Sequence, residues 1–337
     1  MLAAAREAAG ERAEIGFRGQ YGVREPDSGA APLEADHIFI TLPGGREDAT
    51  VSAIERALDR VSQAHHLSRQ MLPGTPGQVR FDYVFNGRTT HTIHIVFPIR
   101  VAAEKKNGKR GANPRLAIII DDLGREHGPA EALLALQYPV TVAVLPNLQY
   151  SAEIAEEAHR RGFQVMLHLP VESEGEERPE PHELRPGMSR QDVASLLDNM
   201  LESVPHAAGV NNHQGSKGTA DPALMSNLMA ALAARKLFFI DSRTTASTVA
   251  YQAAVGAGVP AAYRNVFLDD VETADAIREQ IELAAREAKK NGSAIAIGHP
   301  HEVTLQVVTE ELPKLQAEGI RLVFASDLTE KPARAKR

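Results

Sequence analysis

Between Leu116 and Ala325 the chain alternates short, nearly continuous apolar runs with stretches of helical spacing, and this pattern constrains the fold most. The runs are LAIII at 116–120, VTVAVL at 140–145, FQVML at 163–167, AAGVN at 207–211, LFFI at 237–240, AIAIG at 294–298 and RLVFA at 321–325. Continuous β-branched runs separated by helices predict a parallel sheet buried on both faces. Readable helices lie at 150–161, at 189–203, where Ser189 and Asp192 occupy capping-box positions, and at 222–235 and 272–290. Seven strand–helix units favour a closed or nearly closed (β/α) barrel over an open doubly wound sheet. The first run ends in IIIDDLG, with no G-x-G-x-x-G turn, which argues against a dinucleotide fold. A P-loop and a G-x-S-x-G elbow are also missing.

The amino-terminal third reads differently. Residues 1–36 are rich in Ala, Gly and charge, without clear periodicity, and are expected to be largely disordered. Residues 37–103 read as a small α+β domain of β-α-β-β order. Ile38, Ile40 and Leu42 alternate, a helical spacing runs from Val51 to Val61, and two alternating runs flank an Asn86-Gly87 type I′ turn. The basic, Gly- and Pro-containing segment 104–114 reads as a linker, and residues 115–330 as the barrel.

Composition narrows the function. The chain of 337 residues has no cysteine, which excludes thiol nucleophiles, Cys-ligated zinc and iron–sulfur clusters. A net charge of −7 argues against coating nucleic acid or an anionic membrane, and no apolar run is long enough to span a bilayer. The first dozen residues carry Arg6, Glu7, Glu11 and Arg12, so they lack the apolar centre of a signal peptide. Histidine is in surplus, with 13 residues.

The polar residues at the end of each apolar run carry the chemistry. LAIII leads into Asp121-Asp122, FQVML into His168, and GVN into Asn212-His213. LFFI precedes Asp241-Ser242-Arg243, and AIAIG precedes His299-Pro300-His301. In a parallel barrel all these positions ring one opening, at the carboxyl ends of the strands. Asp, His and Asn are the donors that hold a divalent ion. Two adjacent carboxylates ending an apolar strand repel one another unless a cation lies near them. The acidic stretch 172–187 comes after the His168 strand and reads as a solvated loop hanging over the mouth.

In these residues the chain resembles the divergent polysaccharide deacetylase family, over about residues 115–328. The matching stretches are IIIDDLG, AVLPN, MLHLPVE, GVNNHQGS, FFIDSRT, RNVFLDD and AIGHPH. The resemblance implies a distorted (β/α)7 barrel holding one divalent metal, usually zinc, and hydrolysis of an acetyl group on an envelope polysaccharide or peptidoglycan fragment. It implies Asp121 as general base, His299 as general acid, and Asp122, His168 and His213 on the metal. A location in the periplasm or cell envelope is implied by the same resemblance. The family's His-x-x-x-His motif reads here His168-Leu169-Pro170-Val171-Glu172, which makes Glu172 the next candidate ligand or a substrate contact. Asn212, Asp241, Arg243 and His301 are further candidates for substrate binding, and Arg243 for orienting Asp121 or neutralising Asp241. Because the motif is altered, a non-catalytic glycan- or protein-binding module on the same barrel is the alternative. A phosphoesterase is a third reading, disfavoured because Arg243 is the one Lys or Arg among the strand-end donors.

Overall fold

The computed structural model describes residues 1–10, 13–18, 35–42, 48–72, 78–97, 113–174, 180 and 182–329. The chain falls into two compact units, one built largely from residues 1–100 and the other from 101 onward.

The first unit is a five-stranded mixed sheet with helices. Its elements are α1 (Leu2–Ala9), β1 (Glu14–Arg18), β2 (Asp36–Thr41), α2 (Asp48–Ala64), β3 (Ser68–Met71), β4 (Gln78–Phe85) and β5 (Arg88–Val96), with strand order β1-β2-β5-β4-β3. Asn86 and Gly87, with φ of 49° and 77°, close a two-residue hairpin, as the type I′ turn requires. Alternate residues of β2, β4 and β5 meet Ile54 and Leu58 of α2 in one core of Ile38, Ile40, Phe81, Tyr83, Ile93 and Ile95. The structure departs from the sequence expectation at the amino terminus, where α1 and β1 are formed. Ala5 is fully buried in that core, with Ala8, Ala9 and Ile15 against it. A helix that buries alanines leaves no strong apolar period to read. Residues 19–34, all but the last two residues of the expected 104–114 linker, and residues 175–179 and 181 of the acidic stretch lie outside the described residues.

The second unit is a curled parallel sheet wrapped by helices. Its strands are β6 (Arg115–Leu123), β7 (Thr141–Val144), β8 (Gln164–Val171), β9 (Gly209–Gln214), β10 (Phe238–Asp241), β11 (Ala261–Tyr263), β12 (Val266–Phe267), β13 (Ser293–Gly298) and β14 (Arg321–Leu322). The ladder runs β11-β10-β9-β8-β7-β6-β13-β12, with β14 beside β6, and every pairing is parallel. The sequence reading of a distorted (β/α) barrel is correct. The barrel is open, since β11 and β12 end the ladder without pairing to each other. The helices α3 (His127–Leu134), α4 (Ser151–Arg160), α5 (Arg190–Ser203), α6 (Pro222–Arg235), α7 (Ala250–Gly256), α8 (Ala274–Asn291) and α9 (Glu302–Ala317) link the strands. The capping box expected at Ser189 is formed: Ser189 Oγ accepts from Asp192 N at 3.2 Å, and Asp192 Oδ2 accepts from Ser189 N at 3.3 Å.

The inner face obeys the two-residue period of a strand. Ala117, Ile119, Ala143, Met166, Phe238, Ile240, Ile295 and Ile297 share one buried cluster with Val323 and Ala325. β10 and β13 are separated in the ladder by β9, β8, β7 and β6, so their side chains can meet only inside the curl. Continuing each column by two residues toward the carboxyl end gives Asp121, His168, Ser242 and His299. The apolar floor thus passes directly into a polar rim.

Candidate metal centre and catalytic site

Asp121 reaches the rim by strand phase, whereas Asp122 reaches it by a break in phase. The β6–β7 register shifts between Ile120 and Leu123, and Asp122 takes a left-handed φ of 58°. A bulge of this kind re-aims one side chain, so two consecutive carboxylates face the same opening. Holding a non-glycine residue there costs on the order of 1 kcal/mol or more, which the surrounding structure must supply. On the neighbouring strands His168 is level with Asn211, and Pro170 with His213.

Three ligand-type atoms converge. Asp122 Oδ1 lies 3.1 Å from His168 Nε2 and 3.0 Å from His213 Nδ1, and the two imidazole nitrogens are 3.1 Å apart. Asp122 Oδ1 is buried, yet no donor is aligned on it for a hydrogen bond. Three ligands about 2.1 Å from one divalent ion are separated by about 3.0 Å at right angles and by about 3.4 Å in a tetrahedron. The triangle edges of 3.0 to 3.1 Å lie at the near end of that range, so the donor set can close on one such ion. Its charge points the same way. Burial disfavours the ionised form of Asp122, but the two imidazoles outweigh it and hold the carboxyl below the usual range. Burial likewise opposes charge on His168, and Asp121 and Asp122 reverse it and raise its pKa. A proton or a cation balances such a cluster, and metal binding releases the proton.

Asp121 is buried beside this trio. Its Oδ1 and Oδ2 accept from Asn211 Nδ2 at 2.8 and 3.0 Å, and its Oδ2 is 3.7 Å from His168 Nε2. Burial raises its pKa above the usual carboxylate range, against the pull of His168, His299 and Asn211. Asn211 Oδ1 lies 3.0 Å from His168 Nδ1, so this fully buried amide links the base candidate to the imidazole.

His299 stands just beyond β13 with Nδ1 committed to Asp269 Oδ1 at 3.0 Å, so Nε2 is the nitrogen not engaged by Asp269. Asp269 Oδ2 also accepts from the His299 backbone N at 2.6 Å and from Thr304 Oγ1 at 2.9 Å. Asp269, His299 and His301 form a second group with metal-ligand spacing. Both Asp269 oxygens are already taken, so that group is an oriented acid–imidazole pair. Burial lowers the His299 pKa, but Asp269 and the field of Asp121 more than reverse this and push it up to about 9.

The remaining sequence candidates fall elsewhere. Glu172 pairs with Lys217 at 2.8 Å. Asp241 is out of phase with the inner face; its carboxylate is filled by the N–H groups of Arg243 and Tyr251 and the Thr248 hydroxyl. Asn212 bridges the loops, donating to Gln214 O and accepting from Ser242 N. The Arg243 guanidinium lies 3.5 Å over the Tyr263 ring, on neither Asp121 nor Asp241. His301 is 3.5 Å from Glu272, at the exposed start of α9. Sequence reading did not single out Asp269, although it lies within the RNVFLDD stretch, or Glu180. Glu180 Oε1 is 3.7 Å from His213 Nε2 and pairs with Arg125.

Comparison with known proteins agrees with this architecture. The family described as "Divergent polysaccharide deacetylase" matches residues 118–329. The uncharacterized protein YibQ of Escherichia coli (strain K12) is 40% identical over 218 residues, covering 65% of this chain and 68% of that protein. An uncharacterized protein of Haemophilus influenzae is 38% identical over 217 residues, covering 64% and 77%. The crystal structure of an uncharacterized protein from Agrobacterium tumefaciens C58 superposes with a TM-score of 0.62 at 22% identity, covering 66% of this chain and 92% of that one. Among the described residues no helix is long and apolar enough to cross a membrane.

Proposed function

Because the chain belongs to the divergent polysaccharide deacetylase family, we propose that it is a metal-dependent hydrolase that removes acetyl groups from a carbohydrate of the cell envelope. The observation that carries the reading is the triangle of Asp122, His168 and His213 beside a buried carboxylate that none of the three consumes. Those three residues hold the ion, and two imidazoles with one carboxylate suit zinc among the divalent metals. Once bound, the ion acidifies water and polarises a carbonyl.

The chain's own groups do the rest. Asp121 is the base: burial makes it a better proton acceptor than an exposed aspartate, and Asn211 fixes the direction of its lone pairs. His299 is the acid, charged near neutral pH and held by Asp269 with Nε2 free to protonate the departing amine or alkoxide. Burial raises the proton affinity of Asp121 and Asp269 raises that of His299, so the two groups are set as proton acceptor and proton donor for hydrolysis of an amide or ester.

The test is acetate release from a panel of N- and O-acetylated glycans with Zn²⁺, Co²⁺ or Mn²⁺ added. The expected result is metal-dependent release that is lost in Asp121→Asn. No release from any glycan with any of these metals overturns the proposal.

A further inference from the structure

On the rim beside Ser242, a second set of groups has no part in the chemistry above. Arg243 sits at a left-handed φ of 51°, and its backbone N donates to Asp241 Oδ1 at 2.9 Å. Its guanidinium lies 3.5 Å over Tyr263, whose ring is itself braced edge-on by Tyr251 at 5.0 Å. Arg264 comes up beneath the same turn. It donates from Nε to Ser242 O at 2.6 Å and from Nη2 to Arg243 O at 2.8 Å, and its guanidinium lies 4.9 Å from the centre of the Phe267 ring. The Phe267 ring in turn packs 5.2 Å from His299. The two arginines therefore stand on the His299 side of the opening.

Among the described residues neither of these two cations makes an ion pair. The nearby Asp241 carboxylate is filled by two backbone N–H groups and a hydroxyl. Burial and the charge of Arg243 depress the Arg264 pKa from the usual arginine value, with Asp241, Asp121 and Asp270 pulling the other way. Arg264 is thus held by backbone hydrogen bonds and Arg243 by an aromatic face, Arg243 in a backbone conformation that L-residues seldom adopt, and the charge of Arg243 acts on Arg264. Such an arrangement is a preorganised receptor for an oxyanion, because the cost of ordering the arginines is met before the ligand arrives.

We propose that Arg243 and Arg264 form a subsite for an anionic substituent, a carboxylate or phosphate, on the sugar that carries the acetyl group. The substrate class is then an acidic glycan, with the leaving amine or alkoxide at His299 and the charged group at Arg243 and Arg264. This inference rests on the hydrolase reading only for the identity of the sugar; the subsite itself is testable by binding.

The experiment is calorimetric titration of the full chain with three probes: neutral N-acetylglucosamine trisaccharide, a hyaluronan tetrasaccharide carrying uronate carboxylates, and N-acetylglucosamine 6-phosphate. The same titrations are run on Arg243→Ala, Arg243→Glu and Arg264→Gln, with melting temperature as the control for folding. The expected result is at least tenfold tighter binding of one acidic probe than of the neutral one, a preference lost in Arg243→Ala and Arg243→Glu at unchanged melting temperature. The carboxylate and phosphate arms tell which anion the site takes. Equal affinity for acidic and neutral probes, no binding of any probe, or a preference that survives in every variant overturns the subsite. Charge-dependent binding without acetate release upholds the subsite and removes the hydrolase reading. Acetate release with no preference for acidic glycans does the reverse.

Discussion

Asn211 Nδ2 donates to both carboxylate oxygens of Asp121, at 2.8 and 3.0 Å, across two strands that are not neighbours in the sheet. The other end of the same amide faces His168 Nδ1 at 3.0 Å, which turns Nε2 of that ring toward Asp122 Oδ1, 3.1 Å away. Under the proposed mechanism Asn211 therefore positions both the base and a metal ligand. Asn211→Ala is expected to weaken metal binding by about 10- to 100-fold, as loss of a partner behind a ligating imidazole does. Competition against a chelator of known affinity measures the loss, and kcat should fall with little change in KM.

Asp121 and Asp122 are adjacent in the chain, but the proposed mechanism gives them different work. Asp121→Asn keeps the hydrogen-bonding shape and removes the proton acceptor. It is expected to lower acetate release by about 10²- to 10⁴-fold while the protein retains its metal. Equal loss of activity and of metal in this variant would show that Asp121 is a ligand.

The pH dependence rests on His299, whose pKa is raised to about 9. In its proposed role as the acid it must be protonated, so the rate is expected to decline as pH rises through about 9. Asp269→Asn removes the partner that favours the imidazolium and should move this decline to lower pH. Stability has the same sign. An imidazole whose folded pKa lies above its unfolded value of about 6.5 contributes stability that is complete below that value. That contribution is lost as pH climbs toward 9. Denaturant melts of the wild type and Asp269→Asn across that window should converge at its upper end.

Much of this arrangement was legible because strands have a strict two-residue period. Ile119 to Asp121, Met166 to His168 and Ile297 to His299 are each one step along an inward-facing column. The same rule applied to Phe238, Ile240 and Ser242 sorts Asp241 to the other face, which the sequence reading did not do. Asp122 breaks the rule, and its place depends on a bulge that no local pattern announces. Asp269 comes after a strand of two residues, Val266–Phe267, too short for periodicity to reveal. The Arg264 contacts are to backbone carbonyls of another loop, a tertiary fact with no sequence signature. Helix α9 carries Pro313 in its interior, the residue that normally argues against a helix.

The barrel wall also sets a packing test far from the rim chemistry. A Cβ on Gly209 of β9 would fall 2.5 Å from the Phe238 ring of β10, and that ring is part of the inner core. Gly209→Ala is expected to destabilise the protein by about 1–3 kcal/mol, the usual result of overpacking. Thermal unfolding should show a fall of several degrees in Tm, on the scale of about 2–4 °C per kcal/mol for a unit of this size.

Metal content tests the central claim most directly. Protein purified without chelators and measured by elemental mass spectrometry should carry close to one divalent ion per chain. Asp122→Ala, His168→Ala and His213→Ala should each lose it while remaining folded by circular dichroism. Background metal in the wild type, even after incubation with zinc, or full occupancy in all three variants, would contradict the account.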